Sequence, residues 1–222
     1  MRPLLRFMPP LAWMGVIALL SSDLFAADAT GAWLFPLLGR VLPWAGPGLL
    51  HGLHAILRKM GHLVEYGILA ALWLRALGPP PGPDAGGLRR GPSDRRPLGR
   101  RARLPRGATG AVGLSALYAV VDEARQGLTA TRTPSALDVA IDTAGALVAV
   151  ACLQGHGRVA LAGVRLLRWA ALVAASGSLA AALVDWSLGL PVWDLALAAL
   201  GAGIAAWALG RLEGGWRRAG ET

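Results

Sequence analysis

Eight polar side chains sit at the edges of long apolar runs: His62, Glu65, Asp122, Glu123, Gln126, Arg132, Asp138 and Asp142. Charge at the end of a membrane-length apolar run is costly, so such residues mark a functional site by default. Their spacing is helical. His62 and Glu65 stand at i, i+3, and Asp122 with Gln126 and Asp138 with Asp142 stand at i, i+4, so each pair shares a helix face. In a functional reading His62 is a general base or a metal ligand and Glu65 orients it. Asp138 and Asp142 repel one another when both are ionised, which asks for a bridging cation, a shared proton or a counter-ion, and Arg132 is the expected one.

Each group also has a plain structural reading. His62 and Glu65 could be a hydrogen-bonded pair that anchors a helix end. Asp122 and Glu123 oppose the dipole of the helix they terminate and need partners, for which Arg125 and Arg132 are available. No dedicated ligand spacing supports a metal, and the sequence names no cofactor. The HxxH of His51 and His54 reads as a surface feature, and Tyr66 as an interfacial aromatic. There is no G-x-S-x-G elbow, no P-loop and no G-x-G-x-x-G. The single cysteine, Cys152, excludes a disulfide within the chain and has only His156 near it, which argues against a thiol nucleophile.

The elements that must position these residues are apolar blocks. Of 222 residues 55% are hydrophobic and 16% charged, and the apolar residues run continuously rather than in an amphipathic period. That is the pattern of a membrane protein. The net charge of +9 would suit nucleic acid, but the basic residues lie in loops between apolar blocks, so no nucleic-acid partner is expected. The sequence predicts an all-α, polytopic transmembrane bundle with about six spans. They are placed at residues 7–25, 61–77, 108–121 (or 106–123), 135–153, 167–184 and 188–209. The first could also be a signal peptide, with its basic start and short apolar core. Residues 49–59 read as a short helix lying on the membrane surface. Residues 79–107, with PPPGP and GGLRRGPSDRRP, read as a disordered basic cytoplasmic linker that associates with anionic lipid headgroups. Residues 1–154 then form a four-helix core, and residues 155–222 add two spans and a basic tail.

Arginine and lysine distribution sets the orientation. With both termini in the cytoplasm, only Arg40, Arg58, Lys59, Arg125 and Arg132 fall outside. His62 and Glu65 then begin a span at the outer face, Asp122 and Glu123 end one there, and Asp138 and Asp142 begin another. Three helix ends are expected to bring these residues to one depth.

At these residues the chain resembles the VanZ-like family of membrane proteins. The similarity runs in order through Ser21-Ser22, then Arg58-Lys59-Met60-Gly61-His62 with Glu65-Tyr66, then Asp122-Glu123 with Gln126, then Arg132, Asp138 and Gly145. It covers roughly residues 13–150. Asp142 departs from the pattern, where the family more often has Asn, and residues 79–106 look like an insertion. The resemblance implies a multi-pass protein of the cell envelope linked to low-level resistance to the glycopeptide teicoplanin. It implies no particular reaction. Three functions stay open on the residues. The chain could act at the outer leaflet on an amphiphilic or lipid-linked molecule, by binding or by chemistry. It could be a small proton-coupled transporter using Glu65, Asp138 and Asp142 as a relay, or a non-catalytic membrane partner subunit. Membrane lipids are the other expected partners, and the sequence fixes no oligomeric state.

Overall fold

The computed structural model describes residues 2–22, 27–78, 106–128, 135–154, 157–187 and 192–220, and every element among them is helical. In chain order they are α1 (Arg2–Leu5), α2 (Met8–Leu20), α3 (Ala27–Val41), α4 (Pro47–Leu77), α5 (Arg106–Gln126), α6 (Ala136–Gln154), α7 (Gly157–Ser187) and α8 (Trp193–Gly220). Three of them, α6, α7 and α8, contain segments long and apolar enough to cross a membrane, and α2 is a shorter apolar helix. The composition and this all-helical build are those of a helical membrane protein.

Contacts between helices fix their directions. On α6, Gly145 meets Leu63 of α4, and one turn on, Gly67 of α4 meets Ala149 of α6, so α4 and α6 run parallel. Trp13 of α2 donates its indole N–H to the Glu65 carbonyl at 2.9 Å, and Phe7 packs on Trp73 with ring centres 6.4 Å apart, so α2 runs opposite to α4. Tyr118 of α5 donates to the Met14 carbonyl at 2.6 Å. Helices α4 and α6, and α7 and α8, form the most extensive pairings, and α8 also packs on α2. The core is built from Trp13, Val16 and Ile17 of α2, the run Ile68–Leu72 of α4, and many alanines of α5 to α8. Small residues let helices approach closely where lipid offers no hydrophobic drive for their association. The linker at residues 79–105 lies outside the described residues, and Arg106 and Gly107 already belong to α5.

One segment differs from the sequence-based expectation. Residues 49–59 do not form a separate surface helix. They are the first turns of the continuous 31-residue helix α4. Nothing between Pro47 and Gly61 breaks a helix, since Arg58, Lys59 and Met60 are good helix formers and Pro47 occupies its favoured first position. At about 1.5 Å per residue α4 is roughly 46 Å long, more than the ~30 Å of a bilayer core, so its early turns extend past the span predicted at 61–77. Helix α3 keeps Pro36 in its interior despite the lost backbone donor.

Among the described glycines, Gly145 makes the closest approach to a neighbouring helix backbone. A Cβ added there would overlap the Leu63 carbonyl oxygen, and no flexible side-chain end is available to give way. Gly145→Ala is therefore expected to destabilise the bundle by about 1–3 kcal/mol through overpacking. Gly15→Ala, where nothing lies within 4 Å, should leave stability unchanged. Thermal unfolding followed by circular dichroism in detergent tests the pair.

Candidate functional site

Parallel packing of α4 and α6 carries Lys59 and His62 alongside Asp138 and Asp142. Lys59 Nζ donates to Asp138 Oδ1 at 2.6 Å, and His62 Nδ1 faces Asp142 Oδ1 at 3.4 Å. The first pair is largely exposed, whereas Asp142 is 2% exposed. The His62–Asp142 separation exceeds the usual N–H···O range of about 2.7–3.2 Å, so the pair is a close polar contact rather than a tight hydrogen bond. Glu65, half-buried, lies within electrostatic reach of His62, Asp142 and Asp122. His62 thus takes Asp142 of another helix as its facing carboxylate, while Glu65 supplies its main-chain carbonyl to Trp13.

The end of α5 forms the second wall. Asp122 is 2% exposed; its Oδ1 accepts from the Arg125 guanidinium at 2.9 Å and its Oδ2 from the Gln126 amide at 2.8 Å. Arg125 also donates to the Ala18 carbonyl at 3.0 Å, tying α5 to the end of α2. These bonds answer the unfavourable placement of an acid at a helix C-terminus. Glu123, buried, accepts from the Ser135 backbone N–H, which joins the end of α5 to the start of α6. Ser135 in turn opens α6, its carbonyl accepting from the Asp138 and Val139 N–H groups at 3.0 and 3.3 Å.

The structure therefore gathers residues from three helices at one end of the bundle: His62 and Glu65 from α4, Asp122, Glu123 and Gln126 from α5, Asp138 and Asp142 from α6. Arg132, the expected counter-ion, lies outside the described residues. Lys59 and Arg125 hold carboxylates here. Lys59 was readable in principle, because it precedes His62 by three residues and shares its face. Tyr66 is not interfacial; it is fully buried, with its ring 6.3 Å from Tyr118. Among the described residues, the buried Tyr66 hydroxyl, Ser21 Oγ, His62 Nδ1, Arg125 Nε and Asp142 Oδ1 have no hydrogen-bond partner at this end, and Arg6 Nε and Trp73 Nε1 have none toward the other. Buried polar atoms are normally paired, so this concentration of unpaired ones near one end of the bundle is where a polar ligand would find bonds. No three His, Cys, Asp or Glu side chains among the described residues stand close enough to hold a metal ion.

Of the two described histidines outside this cluster, His51 keeps the surface reading and His54 departs from it. His54 is buried, bonds the Thr30 hydroxyl at 2.9 Å and stacks edge-on with Phe35 at 5.3 Å; exposed His51 stacks on the same ring at 4.6 Å. These contacts hold α3 against the early turns of α4, outside the span predicted at 61–77.

Together the membrane-length apolar helices and the buried polar end define a class, a helical membrane protein with a polar cluster drawn from helix ends. Within that class the chain belongs to the VanZ/LLP1 family, whose model matches residues 11–156. No curated protein and no solved structure matches it. The match ends before α7 and α8, yet α8 packs on α2 and α7 on α4, so both are part of the same bundle.

Two expectations follow. Asp122→Ala strips partners from a buried network and should cost about 3 kcal/mol, whereas Lys59→Ala removes an exposed pair and should cost under about 1 kcal/mol. Chemical unfolding of both variants in the same detergent measures the contrast. Burial, then Arg58 and His51, hold the His54 pKa below its ordinary 6.5. The folded state therefore disfavours protonation: the contribution is complete above pH 6.5 and declines as pH falls from 6.5 through the lowered folded value. Hydrogen exchange in α3 should accelerate below that pH in the native chain and not in His54→Gln.

Proposed function

We propose that this is a multi-pass protein of the cell membrane, with about six spans and both termini in the cytoplasm, that acts at the outer leaflet. Its polar cluster receives an amphiphilic or lipid-linked molecule of the cell envelope, and a role in glycopeptide resistance is the corresponding biological setting. The carrying observation is the convergence of His62, Asp122 and Asp142 from three helices, with His62 Nδ1 and Asp142 Oδ1 facing each other at 3.4 Å and the Tyr66 hydroxyl without a hydrogen-bond partner at the same end. In this reading the exposed Lys59–Asp138 pair stands at the rim, where it meets a charged headgroup. The half-buried His62 lies deeper and, backed by Asp142, is the group able to take or hold a proton. Asp122, clamped by Arg125 and Gln126, acts as the fixed wall that positions α5.

A proton-coupled transporter receives less support. Below Tyr66 the α4 core continues as Ile68, Leu69, Ala70, Ala71 and Leu72, with no titratable group to extend a relay. The test is an alanine set at His62, Glu65, Asp122 and Asp138, expressed in a host lacking the chain. Loss of envelope phenotype and of co-purifying amphiphile at unchanged membrane abundance for His62→Ala supports the reading. Unchanged phenotype with lowered abundance across the set would overturn it in favour of a structural subunit.

A further inference from the structure

The other end of the bundle carries a charged cluster that the polar site does not use. Arg75 lies in the last turn of α4, Arg165 and Arg168 on α7, and Arg211 on α8. Their common support is the α8 segment from Trp207 to Glu213. The guanidinium carbons of Arg75 and Arg211 lie 5.8 and 5.7 Å from the centre of the Trp207 indole ring. Arg168 crosses α8 at Gly210, where an added Cβ would come within 3.2 Å of its Nε. Glu213, only 4% exposed, accepts from Arg165 Nε at 3.0 Å and from Arg168 Nη1 at 2.9 Å. It is the one carboxylate at this end among the described residues, and Arg165 and Arg168 engage it, while Arg75 and Arg211 have no carboxylate within ion-pair distance among the described residues.

Two guanidinium groups on one indole repel each other, and an anion between them removes that cost. The surroundings select the kind of anion. Trp207 is 59% exposed, and Leu200, seven residues before it on the same α8 face, is exposed as well. On α7 the exposed Leu166, Trp169 and Val173 continue apolar surface beside Arg165 and Arg168. A guanidinium tier that ends an exposed apolar stripe, with an indole at the boundary, matches a phosphodiester headgroup above acyl chains.

We propose that Arg75, Trp207 and Arg211 form a binding site for the phosphate of an anionic phospholipid. Its acyl chains lie along the Leu200–Trp207 face, and Glu213 holds Arg165 and Arg168 as the adjoining wall. The site lies on α4 and α8 at the opposite end from His62, so it stands apart from the proposed outer-leaflet function.

Native mass spectrometry of the detergent-purified full chain tests it, with phosphatidylglycerol, phosphatidylcholine of matched chains, and inorganic phosphate as probes. Phosphatidylglycerol should bind about tenfold or more tightly than phosphatidylcholine, as two arginines near a headgroup imply. That preference should fall severalfold in R75Q/R211Q, persist in R75K/R211K and be untouched in R40Q, which removes an arginine from α3. Wild-type preference in R75Q/R211Q, an equal loss in R40Q, or displacement of the lipid by millimolar inorganic phosphate would each overturn the assignment. A second readout does not depend on the arginine variants folding. Brominated phosphatidylglycerol should quench tryptophan emission more than brominated phosphatidylcholine, and the difference should shrink in W207F. Equal quenching by the two lipids, or a difference unchanged in W207F, counts against the site.

Discussion

The structure depends on how closely α4 and α6 approach at Gly145. With no side chain at that position, the Leu63 carbonyl seats directly against the α6 backbone. Because the two helices run parallel, this single contact sets the register of every turn on either side. One turn before it, His62 comes level with Asp142, and one turn earlier still Lys59 meets Asp138. One turn after it, Gly67 rests on Ala149 and the Gly145 carbonyl. Moving α6 along α4 by a single turn, about 5.4 Å, would exchange all these partners.

Around that seam the molecule separates its charge by end. One end holds carboxylates from α5 and α6, the buried Asp122 and Glu123 tied by Arg125, Gln126 and the Ser135 backbone and the more exposed Asp138 by Lys59. The other holds arginines from α4, α7 and α8 arranged about Glu213 and Trp207. Both ends solve the same problem, a charge near an apolar interior, by the same means: a buried acid made to accept two strong donors. They differ in what is left over. At the carboxylate end five buried polar atoms lack hydrogen-bond partners, against Arg6 Nε and Trp73 Nε1 toward the arginine end, where two guanidinium groups also share one exposed indole. A bundle with such different ends presents distinct chemistry at each of them.

Family membership covers α2 to α6, and α7 and α8 lie beyond it. Their packing makes them more than an appendage. Gly201 of α8 sits so close to α2 that an added Cβ would press on Val16 and the Ala12 carbonyl. Leu167 of α7 touches α4 at Gly67, beside the α6 seam. The helix pair therefore braces the same two elements, α2 and α4, that position Trp13 and His62.

The sequence by itself determined the helices, the apolar blocks, the segregation of charge and the set of polar residues worth watching. These are properties of single residues and short windows, and they add along the chain. The family was legible too, because its residues recur in order. Only the tertiary structure decided which residues meet. His62 pairs with Asp142 across two helices although Glu65 is nearer in sequence, and Lys59 takes Asp138. Tyr66 is a core residue although its neighbours are polar, and residues 49–59 continue α4 instead of lying flat. The reason is common to all of these. Helical spacing states which side chains share a face, but not which face of another helix it meets. That is fixed by a close backbone contact, here at Gly145, far in sequence from the partners it aligns.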